Sequence, residues 1–276
     1  MKAASPFSEI KYRRNERFFN TGFASYTLTD HSFPRHFHEH YVIELVIQGG
    51  DGFYCNGKQQ TAFSGDLVFI NPGEVHTGST LTGGTLHYYS LTPGVLELNG
   101  IADALNKPLP KDFCFRHTLT RQPQLAGKMH SFFNAIDTFA DSLQCEELFS
   151  ELMHDLITNA INNTGESFNT PVKDARIQQL IDFMHASFDQ PVTLQQMADC
   201  IHTSTFHLIR LFKNATGLSP YEYLLSLRTE HAKQLLQKGY SIKDAAWEAG
   251  FYDASHFNRL FRKVSGATPK IFRSSK

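Results

Sequence analysis

The chain has 276 residues, enough for two domains that each bury a core of their own. Its 26 Lys and Arg residues almost balance its 27 Asp and Glu residues, so the whole chain is neither a strongly basic nor a strongly acidic protein. No stretch approaches the ~18 apolar residues of a membrane helix, and the N-terminus lacks the apolar core of a signal peptide, which predicts a cytoplasmic protein without a membrane partner.

The near-neutral total conceals a division of charge along the chain. Residues 174–276 carry 13 Lys and Arg residues against 9 Asp and Glu residues, a net charge of +4, whereas the rest carries 13 against 18, a net charge of −5. The C-terminal part is therefore the one suited to approach phosphate groups. The cysteines at positions 55, 114, 145 and 200 lack metal-ligand spacing, which indicates reduced thiols.

Residues 18–115 alternate short apolar runs with turn signals, a pattern typical of a small β-barrel or sandwich. One apolar run extends from Tyr41 to Ile47. Asn56-Gly57 separates two later runs and is a strong hairpin signal. Barrels of this kind often enclose one small ligand.

Two segments of this region resemble the sequence motifs of the cupin family. Residues 65–76, Gly-Asp-Leu-Val-Phe-Ile-Asn-Pro-Gly-Glu-Val-His, resemble the second motif, and His36-Phe37-His38 resembles the start of the first. A metal-binding cupin would use two such histidines, a glutamate and a later histidine such as His76. The glutamate position is Val42 here, and Glu44 lies two residues further along, a displacement of roughly 7 Å on a strand.

Because that carboxylate is displaced, we predict no metal cofactor and no catalytic residue, and a metal site made of three histidines alone stays open as an alternative. The histidines are interpreted as groups that orient a ligand among apolar walls. The predicted ligand-binding residues are His36, His38, Glu44, Tyr54, Phe69, His76 and Tyr88. Their chemistry favours a small polar effector with oxygen acceptors, such as a carboxylate or a sugar.

After the barrel, residues 124–139 and 143–161 have the apolar spacing of amphipathic helices. Most of their apolar residues are expected to pack on their own domain. The following small polar stretch, broken by Gly and Pro, predicts a linker at 162–173. The predicted domains are thus 1–161, which contains the ligand-enclosing barrel, and 174–276.

Residues 193–273 contain an internal repeat. Leu208 to Pro220 matches Phe257 to Pro269 at an offset of 49, and the segments before them match at an offset of 48. Each copy has the pattern of a short helix, a turn and a longer helix, with Ser204 and Asp253 as caps and Gly217 and Gly266 as stops. Two copies are too few for a solenoid, so a pair of helix-turn-helix units is predicted.

In the longer helix of each copy, apolar residues share one face and cations lie largely away from it. An exposed helix face that carries arginine can enter the major groove of double-stranded DNA. Solvated surface charge is the alternative for one such helix, but the duplication of the pattern favours DNA contact. A helix from Ser219 to Gln237 joins the units and spans on the order of 28 Å, near the ~34 Å between successive major grooves.

The C-terminal part resembles the AraC/XylS-type transcription regulators over roughly residues 173–276. The resemblance is carried by Ala198, Ser204, Leu208, Arg210, Phe212, Gly217, Pro220, Tyr223, Arg228, Ala232, Leu235, Leu236, Ile242, Ala246, Gly250, Phe251, His256, Phe257, Arg259, Phe261, Lys263, Gly266, Pro269 and Arg273. It implies a cupin-like sensor, a homodimer through the N-terminal domain, often by a helix pair, and contact with the transcription machinery.

The resemblance also implies that the second helix of each unit reads bases. The predicted DNA-binding residues are Ser204, Thr205, Phe206, Ile209, Arg210, Lys213, Ala254, Ser255, His256, Arg259, Arg262 and Lys263. The chain departs from the family at His202, where the turn usually has glycine. Phe206 and Ile209 are apolar and offer only contacts with thymine methyls or sugars, which predicts weak sequence reading by the first unit.

These patterns predict an α+β protein with an N-terminal cupin-like β-barrel, a helical pair, and a C-terminal all-α domain of two helix-turn-helix units joined by a long helix. The function expected is a sequence-specific DNA-binding transcription regulator that responds to a small effector, and not an enzyme. One alternative is a metal-dependent cupin enzyme fused to a DNA-binding module. Another is a constitutive DNA-binding protein whose barrel only dimerises.

Overall fold

The computed structural model describes residues 8–138, 141–162 and 174–274. The strands are β1 (Ser8–Arg14), β2 (Gly22–Thr29), β3 (Ser32–His36), β4 (Val42–Gln48), β5 (Gly50–Cys55), β6 (Lys58–Phe63), β7 (Leu67–Ile70), β8 (His76–Ser79), β9 (Thr85–Thr92) and β10 (Leu119–Thr120). The helices are α1 (Val95–Ala104), α2 (Pro123–Asp137), α3 (Ser142–Asn162), α4 (Ala175–Ser187), α5 (Leu194–Cys200), α6 (Thr205–Thr216), α7 (Pro220–Gln237), α8 (Ile242–Glu248), α9 (Ala254–Ser265) and α10 (Pro269–Ser274).

The N-terminal strands form two antiparallel sheets, with the orders β1-β2-β9-β4-β7-β10 and β3-β8-β5-β6. One apolar cluster joins the two sheets, because Val42 and Val46 on β4 pack in it together with Phe53 and Cys55 on β5. The sheets therefore close around a shared interior. The predicted β-rich N-terminal domain is confirmed.

Alternation along the strands sends the intervening residues to the outside of the larger sheet. Ile43 and Leu45 on β4 belong to a second cluster, which also contains Phe132 of α2 and Leu152 of α3. The predicted helical pair is thus present, and its apolar residues pack mainly on their own domain. This packing fixes the outer face of the sheet and leaves the inner face for the cavity described below.

Each helix-turn-helix unit has the boundaries that its caps predict. The side chains of Ser204 and Asp253 accept backbone N–H groups in the first turns of α6 and α9. Gly217 and Gly266 end these helices with φ values of 80° and 71°, in the left-handed region that glycine enters without strain. The two predicted units are confirmed as α5-α6 and α8-α9.

The long helix α7 joins the units and packs on both. It begins with the capping box of Ser219 and Glu222 and carries Leu224 into the first unit's core and Leu236 into the second unit's core. Helix α4, which the sequence pattern did not single out, completes the first core with Ile177, Leu180 and Met184. The C-terminal domain is all-helical in its described residues, as predicted.

The predicted linker at 162–173 lies outside the described residues, except for its first position. Across the described ranges, none of the helices combines the length and the apolar content that a membrane crossing requires.

Candidate functional site

A cavity of about 1020 Å³ opens from the interior of the barrel toward the C-terminal domain. The barrel contributes inner-face residues such as Glu44, Asp51 and Tyr88. The far wall comes from α7 and from the last two helices, with Glu230, Lys233, Val264, Ser265 and Phe272. The cavity is therefore an interdomain site and not a closed barrel pocket.

Five of the predicted ligand-binding residues line this cavity: His36, His38, Glu44, His76 and Tyr88. Tyr54 and Phe69 do not, which corrects the prediction. Phe69 lies on the outer face of its sheet and stacks on Phe115 at 4.6 Å. Tyr54 points away from the interior that its neighbours Phe53 and Cys55 fill, and Arg35 lies over its ring at 4.8 Å. The reason is the alternation of side chains along a strand. The sequence alone did not determine which face of the sheet these two side chains occupy.

Two acidic side chains face the cavity from the inner faces of β4 and β5. Burial raises the pKa of Glu44 well above its ordinary value, and it raises the pKa of Asp51 to about 6. Asp51 accepts the backbone N–H of Ser79 at 3.1 Å. Beside Glu44, Tyr88 stacks on Tyr26 with ring centroids 4.7 Å apart. The barrel end of the cavity thus offers carboxyl groups next to aromatic walls.

The three predicted histidines lie together at the mouth of the barrel. His36 and His76 face each other across paired strands, and their ring centroids are 4.4 Å apart. The Nε2 atoms of His36 and His38 are 3.1 Å apart. Burial lowers the pKa of His36 well below its ordinary value and lowers the pKa of His76 to about 4. These imidazoles are neutral near pH 7, so each has one unprotonated ring nitrogen that can accept a hydrogen bond or bind a cation.

A carboxylate of the C-terminal domain completes this group. Glu230 of α7 accepts from His38 Nδ1 at 3.0 Å and from Lys233 Nζ at 2.6 Å, and His40 Nδ1 lies 3.4 Å from its other oxygen. Burial alone would raise the pKa of Glu230, but Lys233 and His38 hold it well below its ordinary value. The buried carboxylate is therefore charged and fully partnered between the domains.

Further contacts fasten the barrel to both helix-turn-helix units. Tyr12 of β1 stacks on Phe272 of α10 with ring centroids 4.6 Å apart, and it accepts a hydrogen bond from Gln237 at 3.0 Å. Phe37 packs in the first unit's core against Tyr223 at 4.7 Å. Because Tyr223 and Gln237 lie at opposite ends of α7, the barrel contacts the whole length of that helix.

Strand β3 reaches the C-terminal ends of both longer helices. Arg35 donates to the carbonyl oxygen of Gly217, which follows α6, at 3.2 Å. The Phe33 ring lies against Gly266, which follows α9, so closely that a Cβ there would approach it to 3.2 Å. One strand of the N-terminal domain thus touches equivalent points of the two units.

The faces of α6 and α9 that were predicted to read DNA point outward. The side chains of Ser204, Phe206, Ile209, Arg210, Lys213, Ala254, Ser255, Arg259, Arg262 and Lys263 are exposed, and those of Thr205 and His256 are half-buried. Phe206 is 85% exposed, although it is a large apolar side chain. Burial lowers the pKa of His31 on the barrel, and the nearby charge of Arg262 lowers it further. Within each unit these side chains lie together on one surface.

Sequence reasoning missed the contributions of Glu230, Lys233 and Asp51 to the cavity. A Glu and a Lys three positions apart on a helix usually form a solvated pair, so the pattern itself carries no signal of burial. Asp51 stands beside glycines that predict a turn, whereas the structure places it on the inner face of β5. For Asp51, a signal was available in its two-residue spacing from Phe53 and Cys55, once β5 is recognised as a strand.

A cavity that joins a β-rich sensor domain to two helix-turn-helix units defines the class of one-chain, ligand-responsive DNA-binding proteins. The family models for the AraC-like ligand binding domain and for a helix-turn-helix domain match residues 23–153 and 197–275. The uncharacterised HTH-type transcriptional regulator YbfI of Bacillus subtilis (strain 168) is 30% identical over 81% of this chain and 81% of its own length. The chain belongs to the AraC family of transcription regulators, which confirms the resemblance and the function expected from it.

Other relatives agree with this assignment. The HTH-type transcriptional activator RhaS of Klebsiella pneumoniae (strain 342) is 27% identical over 94% of this chain and 95% of its own length. The crystal structure of ToxT from Vibrio cholerae with a bound unsaturated fatty acid matches 98% of this chain and 96% of that chain, with a TM-score of 0.54 and 16% identity. At that identity the likeness shows the fold alone.

Proposed function

We propose that an effector in the interdomain cavity controls how the two DNA-reading helices are held. The observation that carries this proposal is the shared lining of the cavity, in which Glu44 and Tyr88 of the barrel face Glu230 and Lys233 of α7. A molecule in that space touches both domains at once. A ligand shifts the balance between two arrangements only if it binds them differently, and contact with both domains provides such a difference.

We propose DNA contacts for the exposed residues of α6 and α9. In this proposal, Arg210, Lys213, Arg262 and Lys263 anchor phosphates, and Ser255, His256 and Arg259 read base edges. Ser204, Thr205 and Ala254 lie at the N-terminal ends of the same helices, where a recognition helix approaches the groove, and Phe206 and Ile209 contact thymine methyls or sugars. The support is their common exposure and the duplicated frame that presents them.

For the effector we propose a small polyhydroxy molecule such as a sugar, rather than a carboxylate. Asp51, whose pKa is about 6, is mostly charged near pH 7 and would repel a carboxylate. Glu44, whose pKa burial raises, can donate to and accept from hydroxyl groups, and the stacked Tyr26 and Tyr88 offer an apolar wall. The neutral histidines add further hydrogen-bonding groups. His36, His38, Glu44, His76 and Tyr88 are the proposed ligand-binding residues.

The remaining features of the proposal come from the family. We propose a cytoplasmic homodimer joined through the N-terminal domain, with domains at 1–161 and 174–276, a linker at 162–173, contact with the transcription machinery and no catalytic activity. Light scattering of the purified full-length protein measures the oligomeric state. A monomer at micromolar concentration would contradict the dimer.

The DNA-binding proposal is tested with the full-length protein and genomic fragments recovered with it. Its affinity should fall steeply with salt as phosphate counterions are released, and a double variant Arg210→Gln/Arg259→Gln should lose preference for the recovered fragments. The matched control is Lys58→Gln, which removes a charge from β6 of the barrel and should change nothing. Binding that is insensitive to salt would overturn the proposal.

The effector proposal is tested by thermal melting of the full-length protein with a panel of sugars and sugar acids. A true effector raises the melting temperature because it binds the folded state. Glu44→Gln should weaken that rise, whereas Tyr54→Phe, outside the cavity, should keep it. If Tyr54→Phe weakens the rise and Glu44→Gln does not, the ligand binds elsewhere.

A further inference from the structure

The hydrogen bonds of His36 and His76 fix which ring nitrogen of each carries its proton. His36 Nδ1 lies 2.7 Å from the carbonyl oxygen of Pro34, and His76 Nδ1 lies 2.9 Å from the carbonyl oxygen of Glu74. Because a carbonyl oxygen only accepts, both Nδ1 atoms are donors. In the neutral imidazole, the Nε2 atom of each ring then has a bare lone pair.

The same reasoning holds for His38, with a partner from the other domain. Its Nδ1 lies 3.0 Å from Glu230, a buried carboxylate that also accepts from Lys233. The Nδ1 atom of His38 is therefore a donor, and its Nε2 is bare. Yet this Nε2 lies 3.1 Å from the Nε2 of His36. Two bare lone pairs at that distance repel, so the arrangement calls for a cation between the rings.

We propose that His36, His38 and His76 bind a divalent first-row transition-metal ion, and that Glu230 of α7 positions His38 from the DNA-binding domain. One ligand nitrogen from each of the three histidines lies within 4.8 Å of the others. Imidazole nitrogen suits zinc, copper, nickel and iron. A carboxylate that accepts the other N–H of a ligating histidine is the usual outer partner in such sites.

A second group of side chains, His38, His40 and Glu230, is also close enough to hold an ion. Lys233 argues against that position, because its Nζ already lies 2.6 Å from Glu230 Oε1 and its charge would repel a metal ion. Lys233 also acts through its charge on His36, His38 and His76, but its hydrogen bond goes to Glu230 and not to their ring nitrogens. At the cupin glutamate position the chain has the apolar Val42. The carboxylate of this site is therefore the outer partner Glu230 of the other domain, which does not itself bind the ion.

This site links metal binding to the contact between the domains. A bound ion draws electron density from His38 and makes its Nδ1–H a stronger donor to Glu230. The ion therefore tightens the barrel against α7, the helix that joins the two DNA-reading units. It also borders the cavity, where an effector oxygen can take an open coordination position.

The first test is a titration of chelator-treated full-length protein with Co²⁺, followed by visible absorption, and then competition with Zn²⁺. We expect one equivalent to bind and to produce the strong bands of a low-coordinate site. His36→Gln and His76→Gln should weaken binding by more than about 100-fold, beyond the effect of losing an outer partner. The exposed His154→Gln is the matched control and should bind as the parent does.

The second test concerns Glu230 and leaves the three metal-binding histidines in place. Glu230→Gln should weaken Co²⁺ binding by about 10- to 100-fold. Zn²⁺ should slow amide hydrogen exchange in α7 of the parent protein and have less effect in this variant. A merely structural Glu230 would leave the metal affinity unchanged.

The proposal is overturned if the parent protein binds no Co²⁺ near one equivalent, in which case a proton shared by His36 and His38 accounts for their short contact. It is also overturned if His154→Gln weakens binding as much as His76→Gln does. If a histidine variant shows no melting transition and so does not fold, X-ray absorption of the zinc-loaded parent protein tests the site instead. The number of imidazole ligands around the zinc then decides whether the proposal stands. Salt-dependent DNA binding in the same metal-free preparation keeps this outcome separate from the proposed function.

Discussion

The two helix-turn-helix units are alike inside and unlike on the surface. Phe212 and Phe261 occupy equivalent core positions, and both are fully buried. Both longer helices begin at a capping side chain and end at a left-handed glycine. Their exposed faces differ, because α6 presents Phe206 and Ile209 where α9 presents Ser255 and Asn258.

This difference separates the part of the repeat that makes the fold from the part that makes the function. The core and the caps are required for any such unit, so they occur twice. Base reading needs side chains that hydrogen-bond to base edges, and these are concentrated in α9. We therefore expect equal costs for core substitutions in the two units and unequal costs for substitutions on their surfaces.

The largest expected effect comes from the core. Phe212→Ala and Phe261→Ala should each lower the free energy of unfolding of the C-terminal domain by about 3–5 kcal/mol, the range for truncating a buried phenylalanine. Urea unfolding followed by circular dichroism measures both. Lys213→Ala, on the exposed face, should stay within about 0.5 kcal/mol. If one core variant costs far less than the other, the units do not share one packing frame.

The next effect is on sequence preference. Arg259→Ala should cost about 1–3 kcal/mol on the preferred DNA site, the range for one good bidentate base contact, and much less on random duplexes. Lys213→Ala should weaken binding to all sequences alike, since it contacts phosphate in the proposal. Equal losses for Arg259→Ala on preferred and random DNA would remove Arg259 from the reading residues.

A selection from randomised duplexes extends this test to both units. The selected sites should contain two patches about one helical turn apart, one sharply defined and one degenerate. Arg259→Ala should blur the sharp patch. If Arg210→Ala blurs it instead, the first unit is the main reader and the comparison between the units is reversed.

The sequence predicted those features that depend on neighbouring residues. The ends of α6, α7 and α9 follow from caps and glycines within a few positions, and the structure confirms them. The inner faces of the strands depend on pairing across the sheet, which is why Tyr54 and Phe69 were assigned to the cavity wrongly. Glu230 became part of the site only through the docking of the two domains, which no local pattern encodes.

A smaller effect is expected in the turns of the two units. His202 and the matching Gly250 both have positive φ, 53° and 78°. At Gly250 a Cβ would also approach the carbonyl oxygen of Phe188 to 2.8 Å, so Gly250→Ala should cost about 2 kcal/mol. His202→Gly should instead gain roughly 0.5 kcal/mol, because relief of the left-handed conformation slightly exceeds the added chain entropy. Urea unfolding measures both, and a loss on His202→Gly would mean that the imidazole has a stabilising contact.

The smallest effect concerns the exposed Phe206. Because its ring is 85% exposed, Phe206→Ala should change stability by less than about 0.5 kcal/mol. On DNA it should cost about 1 kcal/mol or less, the value of covering a thymine methyl group. Replacing the contacted thymine by deoxyuridine removes only that methyl, so it should weaken the parent protein by the same amount and leave Phe206→Ala unaffected. Phe206→Leu is the control that keeps an apolar contact. If Phe206→Ala instead costs as much as Arg259→Ala, the first unit reads sequence as strongly as the second.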